Sequence, residues 1–202
     1  MPTTVTSEKY FERYNGMPIP PVKDNMEVFT AGAISIGVEF RVLNDAVVKS
    51  LGLTATAAGN GYPTLDDHGV SLHIFAKTPD GNFERLRFDC FSRDPHYHYF
   101  STKTKQQDVI HIDPTVTGDP VDWAINLLRS RLAVMLERAD VENPGQLVDG
   151  TEIEKILPLV TEAAFRARYH SDRKKTEDIA LKRGTHNWET TDHRDWNRHS
   201  SL

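Results

Sequence analysis

Between residues 27 and 43, Val28, Phe29, Ile34, Ile36, Val38, Phe40 and Val42 recur mainly at period two among smaller or polar residues, the spacing of strands with one buried face. Ala31-Gly32-Ala33 interrupts the run and predicts a turn between two strands. Residues 55–67 contain Gly59-Asn60-Gly61-Tyr62-Pro63, dense turn chemistry that reads as a loop. Leu72, Ile74 and Ala76 then alternate with His73, Phe75 and Lys77, and Asp80-Gly81 at the bend predicts a hairpin returning through Phe83–Phe91. Further strands are expected at Tyr97–Thr102 and Val109–Asp113, which makes the middle of the chain a mainly antiparallel sheet.

The period changes after Gly118. Asp119 is placed as an N-cap and Pro120 at the first helical position, where its missing N–H leaves nothing unsatisfied. Ile125, Leu128, Leu132 and Met135 follow at helical spacing, widened by Trp123, Leu127, Val134 and Leu136, and predict one long amphipathic helix over about 119–139. Asn143-Pro144-Gly145 ends it. Thr151 and Glu154 have capping-box spacing for a further helix that Pro158 is expected to kink or delay.

The ends read differently. The N-terminal stretch is proline-rich, with Met17-Pro18-Ile19-Pro20-Pro21, and predicts an extended arm carrying Tyr10, Phe11 and Tyr14 to be buried on something. Beyond Ala164 aliphatic residues become scarce, and His186, Trp188, His193, Trp196 and His199 interleave with Glu189, Asp192 and Asp195, so this segment cannot build its own core. The expected division is an N-terminal arm at 1–26, an α+β core domain at 27–140, a C-terminal helical segment at 141–164 and a polar arm at 165–202. The expected fold is α+β: a mainly antiparallel sheet packed against one long amphipathic helix, with arms that embrace a partner in a homo- or hetero-oligomer.

Composition narrows the function classes. A formal net charge of −5 argues against electrostatic capture of nucleic acid. The single cysteine, Cys90, excludes an intrachain disulfide and a cysteine-rich zinc site, and suits a reducing compartment. No leader pattern and no apolar run long enough to span a bilayer is visible, so cytoplasmic residence and no membrane association are expected.

The candidate chemistry lies on the strands. Alternation puts His96 and His98 on one face, about 6–7 Å apart at Cα, with Tyr97 and Tyr99 on the other. The same parity groups His111 with Asp113 and Arg85 and Arg87 with Asp89, while His73 falls on the polar side of the hairpin. If these faces coincide, His73, Asp89, His96, His98, His111 and Asp113 converge as ligands for a divalent ion such as Zn, Fe or Mn, and Arg85 or Arg87 takes an anionic substrate group. Tyr97 or Tyr99 assists only if its strand turns out of the core. The competing account has His96 and His98 flanking a bend after Asp94-Pro95, with their rings bonded to carboxylates. Cys90, opposite in parity to Asp89, reads as a buried structural thiol. No residue is singled out as catalytic by a recognisable motif.

Arg87-Phe88-Asp89-Cys90-Phe91 with Pro95-His96-Tyr97-His98-Tyr99, followed by Gly118-Asp119-Pro120-Val121-Asp122-Trp123, resembles a bacterial domain family with no assigned function, over about residues 27–140. A looser likeness links the Arg-x-Asp and Pro-His-x-His strands to small toxin-system proteins. The resemblance carries no activity across. The leading expectation is a small-molecule enzyme or ligand-binding subunit using the His/Asp cluster. The alternatives are a non-catalytic accessory or assembly subunit with structural histidines, and an RNA-directed toxin-like protein.

Overall fold

A computed structural model describes residues 4–8, 10–16, 18–19, 21–50 and 65–184. Eight strands are present: β1 (Thr4–Glu8), β2 (Phe11–Asn15), β3 (Met26–Ala31), β4 (Ile34–Asn44), β5 (Asp66–Thr78), β6 (Gly81–Phe91), β7 (His96–Ser101) and β8 (Gln106–His111). The helices are α1 (Asp45–Ser50), α2 (Pro114–Thr117), α3 (Pro120–Arg138), α4 (Pro144–Leu147), α5 (Gly150–His170) and α6 (Arg173–Gly184). The strands form one eight-stranded sheet in the order β1-β2-β8-β7-β6-β5-β4-β3, antiparallel throughout.

Its two faces are unlike. Ile34, Ile36, Val38, Phe40 and Val42 of β4 join Val70, Leu72, Ile74 and Ala76 of β5 and Leu86, Phe88 and Cys90 of β6 on the apolar face. There they meet the buried stripes of α3 (Val121, Ala124, Ile125, Leu128, Leu132, Met135, Leu136) and α5 (Ile153, Leu157, Val160, Ala163, Ala164). Val134, expected in the α3 stripe, is instead 60% exposed. On the other face stand Glu39, Arg41, Ser71, His73, Glu84, Arg87, Asp89, His96 and His98. Two residues that precede β3 bond to this polar face: Ile19 O accepts from Arg87 Nη1 at 3.0 Å, and Val22 N donates to Glu39 Oε1 at 3.1 Å.

Several expectations meet their elements here. The turn at Gly32 adopts φ 60°, a backbone state that favours glycine, between β3 and β4. The Asp80-Gly81 hairpin closes with Thr78 opposite Gly81. The proline-rich segment is preceded by two strands, and β2 pairs with β8 of the same chain. The expected loop at 55–67 lies mostly outside the described residues, as does the aromatic and basic end of the C-terminal arm.

The expected single helix is corrected: the sheet packs against both α3 and α5, and α6 continues the helical part of the chain to Gly184. Pro158 does not delay α5, which runs from Gly150 to His170 with the proline inside it. The physical reason is placement. Pro158 and Glu154, the residue whose carbonyl loses its N–H partner, both face solvent, so water satisfies the freed oxygen. Pro158→Ala restores that hydrogen bond and is expected to raise the urea midpoint, the gain in helix propensity being at most about 3 kcal/mol. An unchanged or lowered midpoint would show that α5 depends on the proline.

Candidate functional site

The register of three central strands builds the site. Arg87 of β6 lies opposite His73 of β5 and His98 of β7, and Asp89 lies opposite Ser71 and His96. His96 in turn is opposite His111 of β8. One irregularity matters. Between Ile74 and Phe75 the β5–β6 register shifts, so that Ile74 faces Leu86 while Phe75 faces Glu84, leaving Arg85 as an extra residue in a bulge. The bulge brings Glu84 onto the face of Arg87, which strict alternation forbids.

Two clusters result. In the first, Arg87 forks onto Glu84, Nε to Oε1 and Nη2 to Oε2, both at 2.7 Å. His73 Nδ1 lies 2.7 Å from Glu84 Oε1, and His73 Nε2 lies 3.1 Å from Glu39 Oε2. Burial would raise the Glu84 pKa, but Arg87 and His73 overcome it and bring it down to about 2. Burial likewise acts to lower the Arg87 pKa, yet the Glu84 carboxylate leaves it above its usual value.

The second cluster centres on Asp89. Ser71 Oγ donates to its Oδ1, while its Oδ2 lies 3.0 Å from His98 Nε2 and 3.5 Å from His96 Nε2. Burial opposes ionisation of Asp89, but His98, Arg87 and Arg41 outweigh it and hold its pKa well below the carboxylate range. His98 Nδ1 lies 3.1 Å from Gln107 Oε1, and the Gln107 amide nitrogen donates to Gly16 O. His96 Nδ1 lies 2.7 Å from the backbone oxygen of Asp94, which can only accept, so this nitrogen carries the proton. Burial lowers the His98 pKa to about 4 despite Asp89, which keeps its ring neutral at pH 7.

Asp89, His96 and His98 bring one ligand atom each within 4.8 Å of one another, as do Asp94, His96 and His111. In the second group His111 Nδ1 pairs with Asp94 Oδ1 at 2.9 Å, and that hydrogen bond, opposed by burial, raises the imidazole pKa. The turn carrying Asp94 is held by Asp67, whose carboxylate accepts from the backbone N–H groups of His68, Arg93 and Asp94.

Of the residues expected at the site, Asp89, His96 and His98 come together and His111 adjoins through His96. His73 stands apart, with Arg87 between it and His98 in the register. Asp113 lies past the end of β8 and instead caps α2, accepting from Thr115 N at 2.9 Å. Arg87 is engaged by Glu84. Arg85 turns to Thr102 Oγ1 at 2.5 Å, stacks over Phe83, and has its pKa lowered by burial against Asp80 and Asp140. Tyr97 and Tyr99 pack on the helix side, and burial raises the pKa of Tyr97 and takes that of Tyr99 up to about 12. Cys90 is buried, with its thiol pKa driven up by that burial. Glu39, Arg41, Ser71, Glu84, Asp94 and Gln107 complete the arrangement beyond the expected set. The apolar alternation of β4 carries the signal for Glu39 and Arg41, since residues between its buried positions must share the opposite face. Glu84 has no such signal, because only the bulge places it.

A family described as a domain of unknown function (DUF7700) matches residues 28–164. No curated protein and no solved structure gives a significant match. Among the described residues, no helix is long and apolar enough to cross a membrane.

The Glu84 cluster yields a pH signature. A carboxylate whose folded pKa is depressed contributes stability that is present above its unfolded pKa near 4.5 and lost as pH falls toward about 2. The loss amounts to roughly 3 kcal/mol. Glu84→Gln is expected to unfold more easily at neutral pH by about 3–5 kcal/mol, because Arg87 is left buried without its counter-charge. Its stability curve, measured by urea melts, is expected to be flatter across the acid window. An acid slope equal to the wild type would remove Glu84 as its source.

Proposed function

Since the chain belongs to the DUF7700 family, whose description assigns no function, we propose from the site's chemistry that it binds one divalent cation through Asp89, His96 and His98. The observation that carries this reading is the orientation of the two imidazoles. Each has Nδ1 against an oxygen, Asp94 O or Gln107 Oε1, and each aims Nε2 at the same oxygen, Asp89 Oδ2. A neutral imidazole has only one N–H, so with Nδ1 protonated its Nε2 lone pair faces a carboxylate. A cation between them turns that repulsion into attraction.

The donor set fits this use. Two imidazoles and one carboxylate suit Zn, Fe or Mn, and hydrogen bonds from Nδ1 to oxygen acceptors are the usual outer support of histidine ligands. Three protein ligands leave coordination positions for water and a small molecule. A bound ion would supply Lewis-acid activation of water or of a substrate oxygen. Phe91 and Phe100 lie against the two rings, at 5.7 Å from His96 and 5.4 Å from His98, and help to fix them. The activity in this reading is that of a small-molecule enzyme or ligand-binding protein.

A second reading, a non-catalytic protein with structural histidines, is favoured by His98 having an oxygen within hydrogen-bonding distance of each ring nitrogen. Metal content separates the two. Untagged wild-type protein is expected to hold close to one divalent ion per chain by mass spectrometry. The double variant His96→Ala/His98→Ala should lose it while circular dichroism shows an intact fold, and His111→Ala should retain it. Wild-type protein that takes up no ion, or a folded double variant that keeps it, would favour the structural reading.

A further inference from the structure

We propose that the pocket at the start of α3 binds a neutral planar ring with an imide edge, the chemistry of a uracil-type pyrimidine. The pocket, about 350 Å³, lies where the start of β5 and the end of β6 meet the first residues of α2 and α3 and the last turn of α5. Pockets that hold small molecules begin at about 300 Å³. This one is separate from the Asp89–His96–His98 triad, none of whose side chains lines it.

Its walls are mostly rings. Phe40, Phe91, Pro95, Pro114 and Pro120 present hydrocarbon to it, and Phe40 holds the His68 imidazole edge-on at a centroid distance of 6.0 Å. Aromatic side chains receive a planar ligand by offset or edge-to-face contact. The charges then exclude most ring ligands. Arg168 Nη1 donates to Asp119 Oδ2 at 2.6 Å, so the two charges at the pocket balance each other. An anionic ligand would meet Asp119 as a like charge and a cationic one would meet Arg168, which leaves a ligand without net charge.

The pair keeps hydrogen-bonding capacity while it stays intact. Asp119 Oδ1 takes Val121 N and Asp122 N, whereas Oδ2 takes Arg168 alone among the described residues and retains a lone pair. A guanidinium has five N–H groups, and the bonds of Arg168 to Asp119 and Tyr169 leave others over. His68 bonds through its backbone: its N donates to Asp67 and its O accepts from Ser92. Neither nitrogen of its ring has a hydrogen-bond partner among the described residues, and one of them carries a proton in either tautomer. One acceptor and two donors thus line a single pocket. They answer the edge of a uracil, where one N–H stands between two carbonyl oxygens: Asp119 takes the N–H, and Arg168 and His68 each donate to a carbonyl.

Ligand-observed NMR titration with uracil and uridine, run with EDTA present so that no cation at the triad takes part, tests the proposal. Both are expected to bind the wild type saturably, and uridine monophosphate no more tightly than uridine. N,N′-dimethyluracil keeps the ring and loses the N–H, and should bind about tenfold or more weakly than uracil, the scale of a hydrogen bond to a charged group. Arg168→Gln should weaken uracil by a similar factor. His68→Phe, which preserves the packing on Phe40, should weaken it several-fold. Absence of saturable uracil binding, equal binding of the dimethylated ring, unchanged binding in both variants, or tighter binding of the monophosphate would overturn it.

Discussion

Charge buried on one face of a β-sheet has to be balanced within that face, and Asp89 is where the balance is made. An ionised carboxylate 3% exposed to solvent is tolerated only with partners. Asp89 accepts from Ser71 of β5 on Oδ1, has the Arg41 guanidinium of β4 3.7 Å from the same oxygen, and faces Nε2 of His96 and His98 on β7 with Oδ2. Its neighbour Arg87 is balanced by Glu84 in the same way. The two pairs couple the registers of β4 to β7, since a slip of one residue in any of them would carry a charge to the apolar side. The apolar face supplies the burial energy through α3 and α5, and the polar face fixes which strands may lie where.

The sheet and α3 were largely legible because they follow simple periods. Alternation from Ile34 to Val42, the Asp80-Gly81 hairpin and the Asp119-Pro120 helix start each rest on local chemistry that the surrounding structure leaves unchanged, whereas Val28, expected among the buried positions, is 49% exposed. What the sequence leaves open is set by contacts distant along the chain. Pro158 looks disruptive in isolation, and its tolerance within α5 depends on which side of the helix meets water. The N-terminal residues look like an arm, yet β2 finds its partner in β8, far away in sequence.

The site divides along the same line. His96, His98 and Asp89 could be grouped from parity because β6 and β7 are regular around them. Parity misled where regularity ends: at the bulge, which isolates Arg85 and recruits Glu84, and after β8, where Asp113 becomes a helix cap. Arg41 was hidden for another reason. Its strand was recognised by apolar positions alone, although those same positions imply a polar set on the reverse face.

Two kinds of polar group thus share one buried surface. Arg87 and Glu84 satisfy each other by a bidentate ion pair and serve the fold. His96 and His98 are held by their Nδ1 atoms with Nε2 turned to Asp89, an arrangement that a cation completes. X-ray absorption at the zinc edge of zinc-reconstituted protein tests this claim most directly. The expected first shell contains two imidazole nitrogens and a carboxylate oxygen at about 2.0–2.2 Å. A shell of oxygen alone, without imidazole scattering, would contradict it.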